Sequence, residues 1–294
     1  MFDQNYDILP QHVLCVLGSG LDPRMVEEVV GRAGGPGFVV DREAFLRVHD
    51  PRMPRSFEAC LMDDSFEESD EEAVRTHDSV VYVLSPPMPQ HIAFNPRRSV
   101  LVGEEHGYKL PGGAWSEVFD VSRRTLEVAG ALLRSGATAV KNESSGLTHG
   151  RDQWLLLADR AAEATDWAEL SIVLFNAWVK RPIASANLLR SCGMHLLGAP
   201  DVELEVDWPD PGRPTGQQVG DAVELMDNLA FYLLTEDRAM AISDGEGFRL
   251  SPDGPRWLLS RHPCHDEEES FFFNPYGYWR LTPDSLVSSE RGPG

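Results

Sequence analysis

The stretch "SCGMHLLGAPDVELE", Ser191 to Glu205, decides how the C-terminal half of this chain folds. It sets a thiol and an imidazole three positions apart, then turns through Gly-Ala-Pro-Asp into an alternating run. If Asn187 to Leu197 is extended, side chains alternate between faces. Cys192, Met194 and Leu196 then point one way, and Gly193, His195 and Leu197 the other. On a helix, a spacing of three would instead bring Cys192 and His195 together. Gly193 and the following turn signal favour the extended form. The strand reading separates the two heteroatoms, leaving Cys192 as a small buried hydrophobe and His195 as a core or edge histidine hydrogen-bonded to a neighbour. Beyond the turn, Val202, Leu204 and Val206 share one face and Glu203, Glu205 and Asp207 the other, the pattern of a half-buried strand.

Working outward, "ELSIVLFNAWVKR" and "SANLLRSCGMHLLG" read as long strands. "DVSRRTLEVAGALLRSG" and "DQWLLLADRAAEA" read as helices. Downstream, Val219, Val223, Met226, Ala230 and Leu233 trace the stripe of an amphipathic helix. "MAISDGEGFRL" reads as a hairpin turning at Asp244-Gly245, and "PRWLLSRH" as a further strand. Toward the N-terminus, "HVLCVLG" is a buried strand and "LDPRMVEEVVGRAGG" a helix capped by Asp22 with Pro23 in its first turn. "GFVVD" and "SFEACLMD" follow as strands, then "SDEEAVRTHD" as a helix and "SVVYVLS" as a strand. This order predicts a ferredoxin-like β-α-β-β-α-β unit over residues 1–86. Residues 87–114 form a linker or packed loop, and 115–294 an α+β domain. The expected fold class is α+β, with the ferredoxin-like unit packed on a larger, mainly antiparallel sheet carrying helices on one face.

The 294 residues carry a formal charge of −21. Such a surface repels phosphate backbones, so no nucleic-acid partner is expected; a basic or amphipathic protein partner fits better. Cys15, Cys60, Cys192 and Cys264 are scattered, with no C-x-x-C pair. "MFDQNYDILPQ" has neither the basic nor the apolar region of a signal peptide, and no apolar run reaches membrane-spanning length. A cytoplasmic protein with reduced thiols and no membrane partner is the expectation.

Four clusters invite chemistry. "AVKNESSGLTHG" places Lys141 and Glu143 on one face of a strand and His149 in the loop beyond it; with His195 these form the candidate catalytic set. The alternative is a structural Lys-Glu pair. "HPCHDEEE" gathers His262, Cys264 and His265 as candidate metal ligands, although no second ligand pair with zinc spacing accompanies them. "FFFNPYGYWRL" offers Phe272, Tyr276, Tyr278 and Trp279 as an aromatic partner-binding surface, or else as a segment covering the core. "LGSGLDP" lacks the third glycine of a dinucleotide loop, and no phosphate-loop or nucleophile-elbow motif occurs. No cofactor is expected.

"SCGMHLLGAPDVELE", the helix containing "LMDNLAFYLL" and the "DGEGF" hairpin together resemble a bacterial family defined only as a domain of unknown function, numbered 4261. The likeness is most specific over Ser191 to Arg249, with "AVKNESSGLTH" upstream also similar. The resemblance carries no established activity and no catalytic residue. It implies an immunity or accessory role beside bacterial toxin or secretion systems. The leading expectation is therefore a non-catalytic acidic binding protein, and the alternative an enzyme built on Lys141, Glu143, His149 and His195.

Overall fold

The computed structural model describes residues 10–61, 65–88, 114–185, 187–206, 215–267 and 270–284. The apolar run "VLCVLG" forms β1 (Val13–Gly18), buried along its whole length at the centre of the first sheet. Helix α1 (Pro23–Gly34) follows; the Asp22 carboxylate accepts the Arg24 N–H at 3.0 Å, the expected cap. Strand β2 (Val39–Leu46) lies at the sheet edge. Two short helices, α2 (Met53–Glu58) and α3 (Glu68–Thr76), precede β3 (Ser79–Leu84). Helix α4 (Ala114–Arg134) leads into β4 (Ala137–Asn142) and the two-residue β5 (Leu147–Thr148). The sheet order is β2-β3-β1-β4-β5, with every neighbouring pair antiparallel.

The strands β4-β1-β3-β2, with α1 and α4 as crossovers, make a split β-α-β-β-α-β unit. Its composition corrects the sequence reading. The described residues of "SFEACLMD" form no strand: the first of them belong to α2. Pro54 suits a helix start, and Met53 and Phe57, one turn apart, are both buried. A helix of six residues does not hold itself together. Burying these two side chains, at about 2 kcal/mol each, holds it on the sheet. The fourth strand comes from β4 and the second crossover helix from α4. A boundary at residue 86 therefore cuts between the third and fourth strands of one sheet. The expected linker, 87–114, lies outside the described residues apart from its ends.

Helices α5 (Arg151–Glu163) and α6 (Trp167–Trp178) connect to the second sheet. "ELSIVLFNAWVKR", expected as a strand, is mostly α6. Asp166 caps it by accepting the Glu169 N–H at 2.8 Å. An apolar run buried on several sides has no periodicity to distinguish helix from strand. Strands β6 (Lys180–Ser185), β7 (Leu188–Cys192) and β8 (Asp201–Glu205) follow, then α7 (Gly216–Thr235), β9 (Gly247–Phe248), β10 (Trp257–His262) and β11 (Tyr278–Pro283). Their order is β6-β7-β8-β11-β10-β9, antiparallel except for the parallel β8–β11 pair. In the "DGEGF" hairpin it is β9 that pairs with β10; "MA" upstream belongs to a 3₁₀ turn.

The fold is thus α+β, with one continuous core joining both sheets. Leu14, Val81 and Val140 of the first sheet share it with Val202, Leu204 and Leu281 of the second and with Leu225, Leu229 and Leu233 of α7. A smaller cluster of Cys15, Leu17, Val80 and Ala139 fills the opposite face of the first sheet, under α2 and α3. Among the described residues, no helix is long and apolar enough to cross a membrane.

Candidate functional site at the seam of the two sheets

Three loops that the sequence singles out meet at one place. Residues 143–146 leave β4, 193–200 join β7 to β8, and 263–277 join β10 to β11. Gly193 stands at φ 120°, a conformation open to glycine, and a methyl group there would strike the Trp178 carbonyl and lie 3.0 Å from Ser145 Cβ. That residue ends β7, and a 3₁₀ turn, Met194–Leu197, replaces the expected extended run. Cys192 and His195 therefore do not sit on one pleated strand. Phe272, from the third loop, packs over Gly146 of the first, its ring 3.2 Å from where a Cβ would stand.

Asp201 pins the second and third loops to the sheet. Its Oδ1 accepts the Ser191 hydroxyl at 2.8 Å and the Met194 N–H at 3.2 Å, and its Oδ2 accepts the Asn274 amide at 2.6 Å. The same amide donates to the Ala199 carbonyl at 3.1 Å, and the Asn274 N–H points at Cys264 Sγ, 3.3 Å away. Asp201 is buried, and burial outweighs these hydrogen bonds, pushing its carboxyl up to about 6.

A directional chain crosses the seam. The Ser144 N–H donates to Asn142 Oδ1 at 2.8 Å. That leaves Asn142 Nδ2 to donate to His12 Nδ1 at 2.9 Å. His12 must then carry its proton on Nε2, which meets Ser122 Oγ at 3.0 Å; the Ser122 hydroxyl donates to the Leu196 carbonyl at 2.5 Å. Burial holds His12 well below the ordinary histidine range, with His195 adding to the effect. Burial alone lowers His195 to about 4. Both are neutral imidazoles sealed in the core. The His12 ring lies 4.4 Å from that of Trp178, which is 5.4 Å from Trp154; the His149 ring stands edge-on to Trp154 at 4.7 Å.

The candidate catalytic set divides. Lys141 and Glu143 do share a face, as expected, with Nζ 3.0 Å from Oε1. Lys141 also donates to Ser56 Oγ at 2.5 Å and lies over the Phe57 ring, tying α2 to β4. This face is the one beneath α2. His195 lies on the opposite, α4 side, beside His12, and His149 packs against Trp154 of the main core. The four residues thus form an ion pair under α2, with Lys141 buried and Glu143 partly exposed, and two buried imidazoles. The reason is parity: Lys141 and Asn142 are consecutive on one strand and point to opposite faces.

The candidate metal ligands also go to separate partners. His262 Nε2 meets Ser260 Oγ at 3.0 Å, Cys264 accepts from Asn274, and His265 pairs with Glu203. Among the described residues, no three His, Cys, Asp or Glu groups converge to hold a metal. Glu203 is buried between His265 and Arg280, whose guanidinium reaches it at 2.9 Å, while Asp266 meets Arg190 at 3.3 Å. This charged face and the 263–277 loop border a cleft of about 630 Å³ lined by Arg261, His262, Cys264, Asp266, Asn274 and Tyr276.

The aromatic surface needs correction as well. Tyr276, Tyr278 and Trp279 are only 1–2% exposed; the last two lie on β11, inside its sheet between β8 and β10, and Tyr276 is in the loop leading into it. Phe272, at 39%, is on the surface with Phe271. His12, Asn142, Asp201 and Asn274, the residues that organise the seam, escaped the sequence reading. A polar residue at a strand start or in an Asn-Pro turn looks like ordinary punctuation until its partner is known.

No family model, curated protein or solved structure matches the chain.

Proposed function

We propose that this protein is a non-catalytic binding protein whose acidic surface engages a basic or amphipathic protein partner, as an immunity or accessory protein would. The observation that carries this reading is the division of the candidate catalytic set. Lys141 is neutralised by Glu143 beneath α2, while His195 is sealed on the other side of the sheet. A reacting group placed at either pair is out of reach of the other. The charge of −21 supports the kind of partner: acidic groups speed encounter with a basic surface and repel nucleic acid. The resemblance of Ser191 to Arg249 to the family numbered 4261 points the same way.

The test is affinity capture from the native host at about 50 mM and about 500 mM salt, salt levels between which the Debye length falls severalfold. The captured protein is identified, purified and titrated against the intact chain. A basic partner whose affinity drops at least tenfold across that range supports the reading. An acidic partner, or an affinity indifferent to salt, rejects it.

A further inference from the structure

Among the described residues, three buried polar side chains around Gly193 have no hydrogen-bond partner: the Ser145 hydroxyl, the Trp178 indole N–H and both ring nitrogens of His195. Each residue is at most 1% exposed. They belong to three different elements, namely the loop after β4, the end of α6 and the 3₁₀ turn after β7. They lie around Gly193 and the His12 ring. A methyl group on Gly193 would meet both Ser145 and the Trp178 carbonyl, and His195 follows two residues later. The His12 ring lies 4.4 Å from that of Trp178 and is electrostatically coupled to His195. Buried polar groups in folded proteins are almost always hydrogen-bonded, and three unpaired ones packed together are a cost that proteins avoid.

We infer that this seam is a water-binding site, in which at least one ordered water molecule bridges the Trp178 indole N–H to His195 or Ser145. The chemistry suits water and little else. Trp178 Nε1 can only donate, a neutral imidazole donates at one nitrogen and accepts at the other, and a serine hydroxyl does both. A guest must therefore accept from the indole while also donating to histidine or serine, and a water molecule with two to four partners does this. The surrounding protein atoms already fill their own hydrogen bonds: His12 is committed to Asn142 and Ser122, and Asn142 to Ser144 and His12. The bridging water would link the first sheet to the loop of the second, beside the direct chain through His12.

Two measurements on the unmodified chain test this. A crystal structure at about 1.5 Å resolution, fine enough to place individual waters, should show density within hydrogen-bond distance of Trp178 Nε1 and of a His195 ring nitrogen or Ser145 Oγ. In solution, the Trp178 indole proton should show a cross-peak to water of the sign expected for a long-lived bound molecule. Density absent at the seam, or the three groups bonded directly to protein atoms, overturns the inference. So does a Trp178 indole proton with no water cross-peak. In Trp178→Phe, which keeps the ring packing, the water should lose its contact on that side while those to His195 or Ser145 persist. A Trp178→Phe variant that does not fold leaves the two wild-type measurements to decide.

Discussion

His12 Nδ1 lies 2.9 Å from Asn142 Nδ2, and because an amide nitrogen can only donate, this one contact fixes His12 as the neutral tautomer protonated on Nε2. From there the direction of every bond to Leu196 follows. The contact also joins a residue before β1 to the last residue of β4, so it reads out the closure of the first sheet.

Asn142→Leu should destabilise the protein by about 2–4 kcal/mol, because it leaves His12 Nδ1 and the Ser144 N–H buried without partners. Urea unfolding at pH 7 measures this. A change below about 0.5 kcal/mol would mean that the chain across the seam does not matter to stability.

Acid sensitivity follows from three buried groups of opposite sign. His195 falls from an ordinary 6.5 to about 4 in the fold. Below pH 6.5 the unfolded chain takes up its proton first, so stability is lost as pH falls toward 4, by about 3 kcal/mol in all. His12 works in the same direction. Asp201 rises from 3.8 to about 6. The folded state holds that proton longer, so its contribution is present below 3.8 and lost as pH rises through 6, again by about 3 kcal/mol. The two terms oppose each other between pH 4 and 6. In His195→Gln the histidine term disappears. The variant's stability relative to wild type should therefore fall as pH is raised from 4.5 to 6.5, in paired urea titrations. A difference that stays flat with pH would show that His195 titrates normally.

Gly193→Ala should cost 2 kcal/mol or more, combining about 1 kcal/mol of left-handed backbone strain with a clash on the Trp178 carbonyl. Gly216→Ala, where a methyl group meets nothing and the backbone is helical, should stabilise by a few tenths to 1 kcal/mol. Thermal melts of the two variants side by side should move in opposite directions.

The Lys141–Glu143 pair should respond unequally to its two deletions. Lys141→Met removes a buried cation and refills the space with an apolar chain beside Phe57, so the change should stay within about 1.5 kcal/mol. Glu143→Gln leaves that cation buried against neutral acceptors alone, and should cost about 3 kcal/mol. Equal losses in the two variants would contradict an ion pair of this kind.

Much of the fold was legible where pattern and punctuation agree. Asp22-Pro23 marked the start of α1, and the alternation of Val202, Glu203 and Leu204 marked β8. It failed where burial erased the pattern. In α6 the C-terminal half is buried on several sides, so an apolar run read as a strand although Asp166 supplied a helix cap. It failed again at Gly193, where a single positive φ turned a strand into a 3₁₀ turn. For the seam, the sequence marked the right loops but the wrong grouping. Ser145 meets Gly193, and Asn274 meets Asp201, through pairings between distant strands, and no local spacing encodes them. The Lys141–Glu143 pair, two residues apart on one strand, was visible because its geometry is local.

The parallel pairing of β8 with β11 sets the order in which this molecule can be made. Tyr278–Pro283 is inserted between Asp201–Glu205 and Trp257–His262, neither of which touches the other. During synthesis the first sheet can assemble once Thr148 has left the ribosome, but the second holds an open slot until the last of its strands emerges. A chain stalled between His262 and Tyr278 presents the bare edges of both β8 and β10, and a chaperone that guards unpaired strands would find them there.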